Sequence, residues 1–252
     1  VVMEMYVNMS NIVRCLASGK TIMTSEPKFV PEEAVEISPD GKTNLRVRMI
    51  DSVGYMVDGA VGAEEDGVPR MVTTPWYDHE IPLTEAAELG TKKVMQEHCC
   101  IGLVVTTDGT ITDIPRQDYI DAEYRAIMDM QATGKTFLVL INSRNPHGEA
   151  AQAVKEYLAK ELHVEAVTAD CQALDSKDIN ELLQKILYAF PMSELQVHLP
   201  RWVDALEQSH PTKSLLYQAL LEAAQKITTV GQAESALKQL LQLEQITDLH
   251  RV

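Results

Sequence analysis

Residues 136–145, Thr136-Phe137-Leu138-Val139-Leu140-Ile141-Asn142-Ser143-Arg144-Asn145, are six uncharged residues followed by a polar exit. The run is apolar from Phe137 onward with no alternation, so it reads as a strand buried on both faces, as in the centre of a parallel sheet. Its flanks agree. Residues 117–133 predict a helix with Ile120, Tyr124, Ile127 and Met128 on one face, and Gly134 stops it. Downstream come a helix over 150–162, a strand over 164–167, and a helix over 176–188 whose Ile179, Leu182, Leu183 and Ile186 face inward. Upstream, Ile101-Gly102-Leu103-Val104-Val105 is a second buried strand. A helix precedes it, running from Thr84 as N-cap to about residue 97, with Glu85 and Glu88 suiting its positive end. Strands alternating with helices of this length imply right-handed crossovers and a parallel sheet covered on both faces.

Nearer the amino terminus, residues 33–37 and 45–50 predict two strands around the turn Ser38-Pro39-Asp40-Gly41-Lys42, short enough for an antiparallel hairpin. Leu45, Val47 and Met49 alternate with Arg46 and Arg48, so one face of the second strand is buried and the other wet. The hairpin makes the sheet mixed. Residues 54–82, rich in Gly and Pro, read as a long irregular loop of the functional or mobile kind. Within it Trp76, Tyr77 and His79 form either a contact surface or local packing anchors. From residue 199 the pattern changes to helical stretches over 201–207, 213–227 and 232–245 with no strand between them. A boundary therefore falls near Pro200, with an α/β domain over 1–199 and the start of a helical domain over 200–252.

The chain has 252 residues, 45% of them hydrophobic and 23% charged, which suits a soluble globular protein with a substantial core. Its formal charge of −15 argues against sequence-independent nucleic-acid binding and against adhesion to anionic lipid through a basic patch. No nucleic-acid partner is expected. Cys15, Cys99, Cys100 and Cys171 form no C-x-x-C pair and no signal peptide is visible, so reduced thiols in a cytoplasmic protein are expected. His98, Cys99 and Cys100 are adjacent, point in different directions, and lack a second ligand pair, so they do not read as a metal site. No apolar run approaches the ~20 residues that span a bilayer.

The chemistry sits at strand exits. Asp51-Ser52-Val53-Gly54 follows a strand directly. In triphosphatases with a phosphate-binding loop, an Asp at a strand end holds the water shell of Mg²⁺. A Gly three residues later lets its N–H approach the γ-phosphate, because no Cβ intervenes. A strand-ending turn accounts for the same four residues without any ligand. Sheets of this kind seat ligands at the carboxyl ends of their strands, here Asp51, then 106–109, then Asn142-Ser143-Arg144-Asn145, then 168–171. The third exit stands where guanine-specific enzymes carry N-K-x-D, but has Ser143 for the Lys and Asn145 for the Asp. An amide is both donor and acceptor, so the demand for two acceptors lapses and adenine becomes acceptable. An ordinary polar strand exit is the alternative. Gly19-Lys20-Thr21 and Gly134-Lys135-Thr136 lack the first Gly of G-x-x-x-x-G-K-[ST], so neither is a phosphate-binding loop. Thr24 and Ser25 lie upstream of the hairpin, where such enzymes offer a hydroxyl to Mg²⁺ and the γ-phosphate.

Several long strings resemble the stage IV sporulation protein A family: residues 21–31 (TIMTSEPKFVP), 51–56 (DSVGYM), 69–80 (PRMVTTPWYDHE), 104–115 (VVTTDGTITDIP) and 199–203 (LPRWV). The resemblance spans about residues 18 to 205 well and the helical remainder loosely. It implies a three-layer α/β fold with a mixed, mostly parallel sheet of the P-loop NTPase, translation-factor-like GTPase type, followed by a mainly helical segment. It also implies ATP hydrolysis with Mg²⁺, driving irreversible self-assembly into the basement layer of the spore coat. That layer forms on the outer forespore membrane from the mother-cell cytoplasm. Implied partners are further copies of the protein, the small amphipathic membrane peptide stage V sporulation protein M, and other coat proteins, the last two through regions outside this chain. By resemblance Asp51 matches the Walker B aspartate, a ligand of Mg²⁺ with Thr24, while Thr24 and Ser25 match two sensor threonines. Ser25 keeps the hydroxyl but loses the β-branch that stiffens χ1.

Family members carry a phosphate-binding loop ahead of the region that begins here, and residues 1–17 contain none. The chain is then either a fragment or numbered with stretches left out. Without the loop's Lys and amide cradle phosphates are not held for in-line transfer, so these 252 residues alone are expected to be inactive while the parent protein is an enzyme. Three readings remain at this stage. One is an ATPase in which Gly54 reports the γ-phosphate and residues 54–82 change shape on hydrolysis. The others are a structural scaffold with a relic nucleotide fold and a guanine-specific GTPase.

Overall fold

In a computed structural model describing residues 2–8, 29–39, 41, 44–52, 54–58, 60, 63–65, 67–242 and 246, the strands form where the apolar runs lie. The chain order opens with β1 (Val2–Asn8), β2 (Phe29–Ile37) and β3 (Leu45–Ser52). Two small hairpins follow, β4 (Glu64–Glu65) with β5 (Val68–Pro69), and β6 (Met71–Thr74) with β7 (Tyr77–Pro82). Next come α1 (Leu83–Lys93), a π-helical turn over Val94–His98, β8 (Ile101–Thr107), α2 (Arg116–Ala132) and β9 (Thr136–Asn142). Then α3 (Glu149–Glu161), β10 (Ala166–Ala169) and α4 (Ser176–Tyr188) precede α5 (Arg201–Ala205), α6 (Pro211–Gln225) and α7 (Val230–Leu240). By compactness the chain divides into 1–181 and 182–252, upstream of the change in sequence pattern at Pro200.

In the first unit six strands make one sheet in the order β10-β9-β8-β1-β3-β2. All neighbours are parallel except β2, which pairs antiparallel with β3 at the edge. This is the mixed, mostly parallel α/β sheet that the sequence predicts. Side chains alternate along a strand, and β8 and β9 are buried on both faces. Val104, Val139 and Ile141 join one core with Ile127 and Met130 of α2 and Val154 and Leu158 of α3. Leu103, Val105, Leu138 and Leu140, of opposite parity, are buried too. Each such side chain contributes about 1.5–3 kcal/mol by leaving water.

Several expectations are corrected. On α2, Ile127 is buried as expected, but Ile120, Tyr124 and Met128 are exposed, while Tyr119, Ala122, Glu123, Ala126 and Met130 are buried. The inward face of α2 mixes large and small residues, and its Met130 packs where Gly102 of β8 leaves room. A Cβ on Gly102 of β8 would stand 2.8 Å from Met130 Sδ and 3.0 Å from Phe137 Cβ. On β3, Leu45 and Val47 are buried as expected but Met49 is exposed, because burial passes to the other face at Ile50. Thr84 is not the cap of α1, which starts a residue earlier behind Pro82 with no side-chain cap. Ile179 is exposed on α4, whereas Leu183 and Ile186 are buried. The stretch expected to be an irregular loop contains two small hairpins among its described residues, and Val72, Thr74 and Ile81 alternate inward across the β6–β7 hairpin.

The second unit is helical with one isolated bridge, Pro191 to Thr229. Pro211 opens α6 at its first turn, where the missing N–H costs nothing, and His210 accepts the Thr212 N–H. Thr229 and Gln232 close a capping box on α7. Among the described residues no helix is long and apolar enough to cross a membrane.

Candidate functional site at the strand ends

Five parallel strands deliver their carboxyl ends to one rim of the sheet. Asn8 of β1 lies level with Ser52 of β3 and Val104 of β8, and Thr107, Asn142 and Ala169 form one row across β8, β9 and β10. The exits carrying Asp51, Asp108, Asn142–Asn145 and Asp170 therefore share an edge, where open α/β sheets bind ligands. Asp51 holds the penultimate place in β3; its side chain, with Thr24, Ser25 and Gly19-Lys20-Thr21, lies outside the described residues.

Gly54 is buried with φ +82, a conformation that side chains with a Cβ rarely adopt. Its N–H donates to Thr91 Oγ1 at 3.0 Å, and that hydroxyl also lies 3.1 Å from Ser52 Oγ. Thr91, on α1, is wholly buried. The next residue, Tyr55, is buried as well; its hydroxyl donates to Asp129 on α2, and the Arg125 guanidinium lies 5.7 Å from its ring centre. Lys92 bridges Asp129 at 3.2 Å and Glu88 at 3.1 Å, while Arg125 reaches Glu88 at 2.6 Å. The segment leaving β3 is thus tied to two helices. Burial alone would lower the Lys92 ammonium; its hydrogen bonds to Glu88 and Asp129 outweigh this and hold it above its ordinary value.

A second network joins the exits of β8 and β9. Ser143 Oγ donates to Asp108 Oδ2 at 2.6 Å and accepts the Asn145 N–H at 3.0 Å. Asp108 Oδ1 accepts the N–H and hydroxyl of Thr110, and Thr110 Oγ1 in turn accepts the Arg144 N–H. Asn142 Oδ1 takes the Cys171 N–H at 3.0 Å, fixing the exit of β10. Ser143 is fully buried with its hydroxyl committed, so it shapes the loop, and Asn145 stands exposed beyond it. Asp108 stands in the strand exit 106–109 that the sequence marks, but its partnership with Thr110 went unread, although an Asp two residues before a Thr at a strand exit is an Asx-turn signal. Beneath them Glu123 of α2 accepts from Thr106 and from Arg116 Nη2, with one Arg116 nitrogen, Nη1, buried without a partner.

Lys135 shows why its Gly-Lys-Thr triplet is not a phosphate loop. Its ammonium donates to the carbonyls of Met95 and Gln96 at 2.7 Å each, capping the negative end of the turn after α1. Cys99 is buried and its thiol donates to the Met95 carbonyl. Burial, and then the charge of Asp170, push the Cys171 thiol up to about 11. Among the described residues no cluster of His, Cys, Asp and Glu could hold a metal by itself.

Comparison with known proteins matches residues 9–191 to the family model "Stage IV sporulation protein A, ATPase domain" and residues 192–251 to its "middle domain". Stage IV sporulation protein A of Bacillus anthracis and of Bacillus subtilis (strain 168) are each 40% identical over 90% of this chain and 46% of theirs. That of Clostridioides difficile (strain 630) is 39% identical over 92% of this chain and 47% of its own. The chain thus spans about half the length of these curated relatives. The FeoB G-domain from Methanococcus jannaschii overlaps 73% of this chain and 97% of its own at a TM-score of 0.35 and 8% identity, too distant to bear on the site. With family models spanning both units and relatives alike along nine-tenths of its length, the chain belongs to the stage IV sporulation protein A family.

Proposed function

We propose that this chain is the nucleotide-hydrolysing part of a protein that uses ATP to assemble copies of itself into the basement layer of the spore coat. The layer would lie on the forespore surface, facing the mother-cell cytoplasm. The observation that carries the reading is the shared rim. The Asp51–Gly54 segment and the Asn142–Asn145 loop follow two parallel strands of one mixed sheet, β3 and β9, that end at the same edge with β1 and β8 between them, and the match of residues 9–191 to an ATPase-domain family supports hydrolysis of ATP. Further copies of the protein are the main partner, with the small amphipathic membrane peptide and other coat proteins engaging regions outside this chain.

The residue types that the sequence offers suit a magnesium triphosphate. A carboxylate at Asp51 and a hydroxyl at Thr24 are hard oxygen donors of the kind Mg²⁺ prefers, and Gly54 brings a backbone N–H with no Cβ in the way. When bound, the ion offsets negative charge on the phosphate oxygens. Ser143, locked between Asp108 and Asn145, holds the Asn145 loop in place. The exposed Asn145 amide offers a donor and an acceptor to a base, which favours adenine over a site demanding two acceptors. ATP and GTP hydrolysis by full-length protein, beside Asp51→Ala and Thr24→Ala, tests the reading. Loss of phosphate release in both variants is expected; undiminished release would sink it, and a strong preference for GTP would overturn the role given to Asn145.

A further inference from the structure

We propose that Thr91 is the resting partner of the Gly54 N–H, and that the terminal phosphate of a bound triphosphate takes its place. This rests on the reading of the rim as a nucleotide site. The Gly54 N–H has one hydrogen and serves one acceptor well at a time. In this structure the acceptor is Thr91 Oγ1 at 3.0 Å, presented from a helix position with no exposure at all. The hydroxyl is held in turn by Ser52 Oγ at 3.1 Å, one residue beyond Asp51. Without Thr91 a buried donor would be left unmade, which is costly. A phosphate oxygen carries charge and is the stronger acceptor, so exchange runs toward the nucleotide when a third phosphate is present and back to Thr91 when it is not. Thr91 is therefore a positioning residue. It supplies the free state with a neutral substitute for the ligand, and in doing so opposes triphosphate binding.

The test compares ATP and ADP affinity in full-length protein carrying Thr91→Val, which keeps the shape and removes the acceptor, and Thr91→Ser, which keeps the hydroxyl. Thr91→Val is expected to bind ATP about tenfold more tightly, the change that 1.4 kcal/mol produces. ADP affinity should stay at the parental value, because ADP lacks the phosphate that Gly54 meets. Thr91→Ser should match the parent for both nucleotides. If valine is not accommodated, Thr91→Ala carries the same expectation. A folded variant whose ATP affinity is unchanged, or changes in step with ADP, overturns the proposal while leaving the nucleotide site standing. A parent protein that binds neither nucleotide overturns both.

Discussion

The Ser143 hydroxyl donates to Asp108 Oδ2 at 2.6 Å and so ties the exit of β9 to the exit of β8. Both residues are buried, with Ser143 wholly out of solvent. The bond fixes where Asn145 emerges, because the same hydroxyl accepts the Asn145 N–H. Ser143→Ala removes one donor from a buried carboxylate and one acceptor from the loop. A loss of about 1–3 kcal/mol is expected from the unmet groups. Denaturant titration of the variant should show a lower midpoint with an unaltered slope, since nothing about the unfolded surface changes. Ser143→Cys is no substitute, since a thiol is a weak partner for a carboxylate.

Glu123 on α2 is the most buried carboxylate in contact with a cation among the described residues, its side chain 2% exposed against 20% for Arg116. Thr106 and Arg116 both donate to it. Removing one member of such a set costs about 3–5 kcal/mol because the other charge is stranded. Glu123→Ala should therefore unfold far more easily than the parent. Glu123→Leu combined with Arg116→Met should recover most of that loss, as apolar replacement of both partners is nearly neutral. A double variant as unstable as Glu123→Ala would mean that Thr106, and not the ion pair, dominates the site.

These two networks mark the limit of what the sequence discloses. The fold was legible because the strand-forming runs are long and uncharged, as at Phe137–Ile141, and because Gly134 ends its helix at φ +68. The inward face of α2 was legible only at Ile127. Periodicity assigns large apolar residues to the core and finds Ile127, yet Ala122, Ala126 and a buried Glu123 share that face with Tyr119 and Met130 and blur the pattern. Strand exits announced Asp51, Gly54 and Asn142 by composition. Thr91 stayed hidden, since a threonine inside a helix looks the same whether it faces water or holds a glycine 37 residues away. Partners distant in sequence leave no local trace.

Cysteine chemistry should separate an exposed thiol from a partly buried one. Burial and Asp170 push the Cys171 thiol up to about 11, so at about pH 8 only roughly one molecule in a thousand carries its thiolate, the reactive form. Cys100 is exposed and Cys99 buried. In a Cys15→Ser background, alkylation at that pH followed by peptide mapping should modify Cys100 first. Cys171 should follow at least about tenfold more slowly and speed up as pH rises toward 11. Equal rates at Cys100 and Cys171 would show that the exit of β10 is more open than its packing indicates.

Lys92 makes a pH-dependent contribution whose sign follows from its environment. Its ammonium is held above 10.5 because the hydrogen bonds and charges of Glu88 and Asp129 outweigh the effect of burial. A group whose folded value exceeds its unfolded value stabilises fully below the unfolded one and loses that stabilisation as pH climbs through the folded one. The contribution is thus constant from about pH 6 to 9 and fades only above 10.5. With 38% of the side chain in water, it amounts to no more than about 1 kcal/mol. Lys92→Met should therefore lower stability by that small amount near neutrality, and the gap to the parent should close in strongly alkaline buffer. Asp129 loses its cation in the variant but keeps the Tyr55 hydroxyl. Tyr55→Phe in the same background should then cost more than it does alone, because the carboxylate loses its second partner. A gap that widened with rising pH would place the Lys92 charge in a repulsive setting, against the two carboxylates observed beside it.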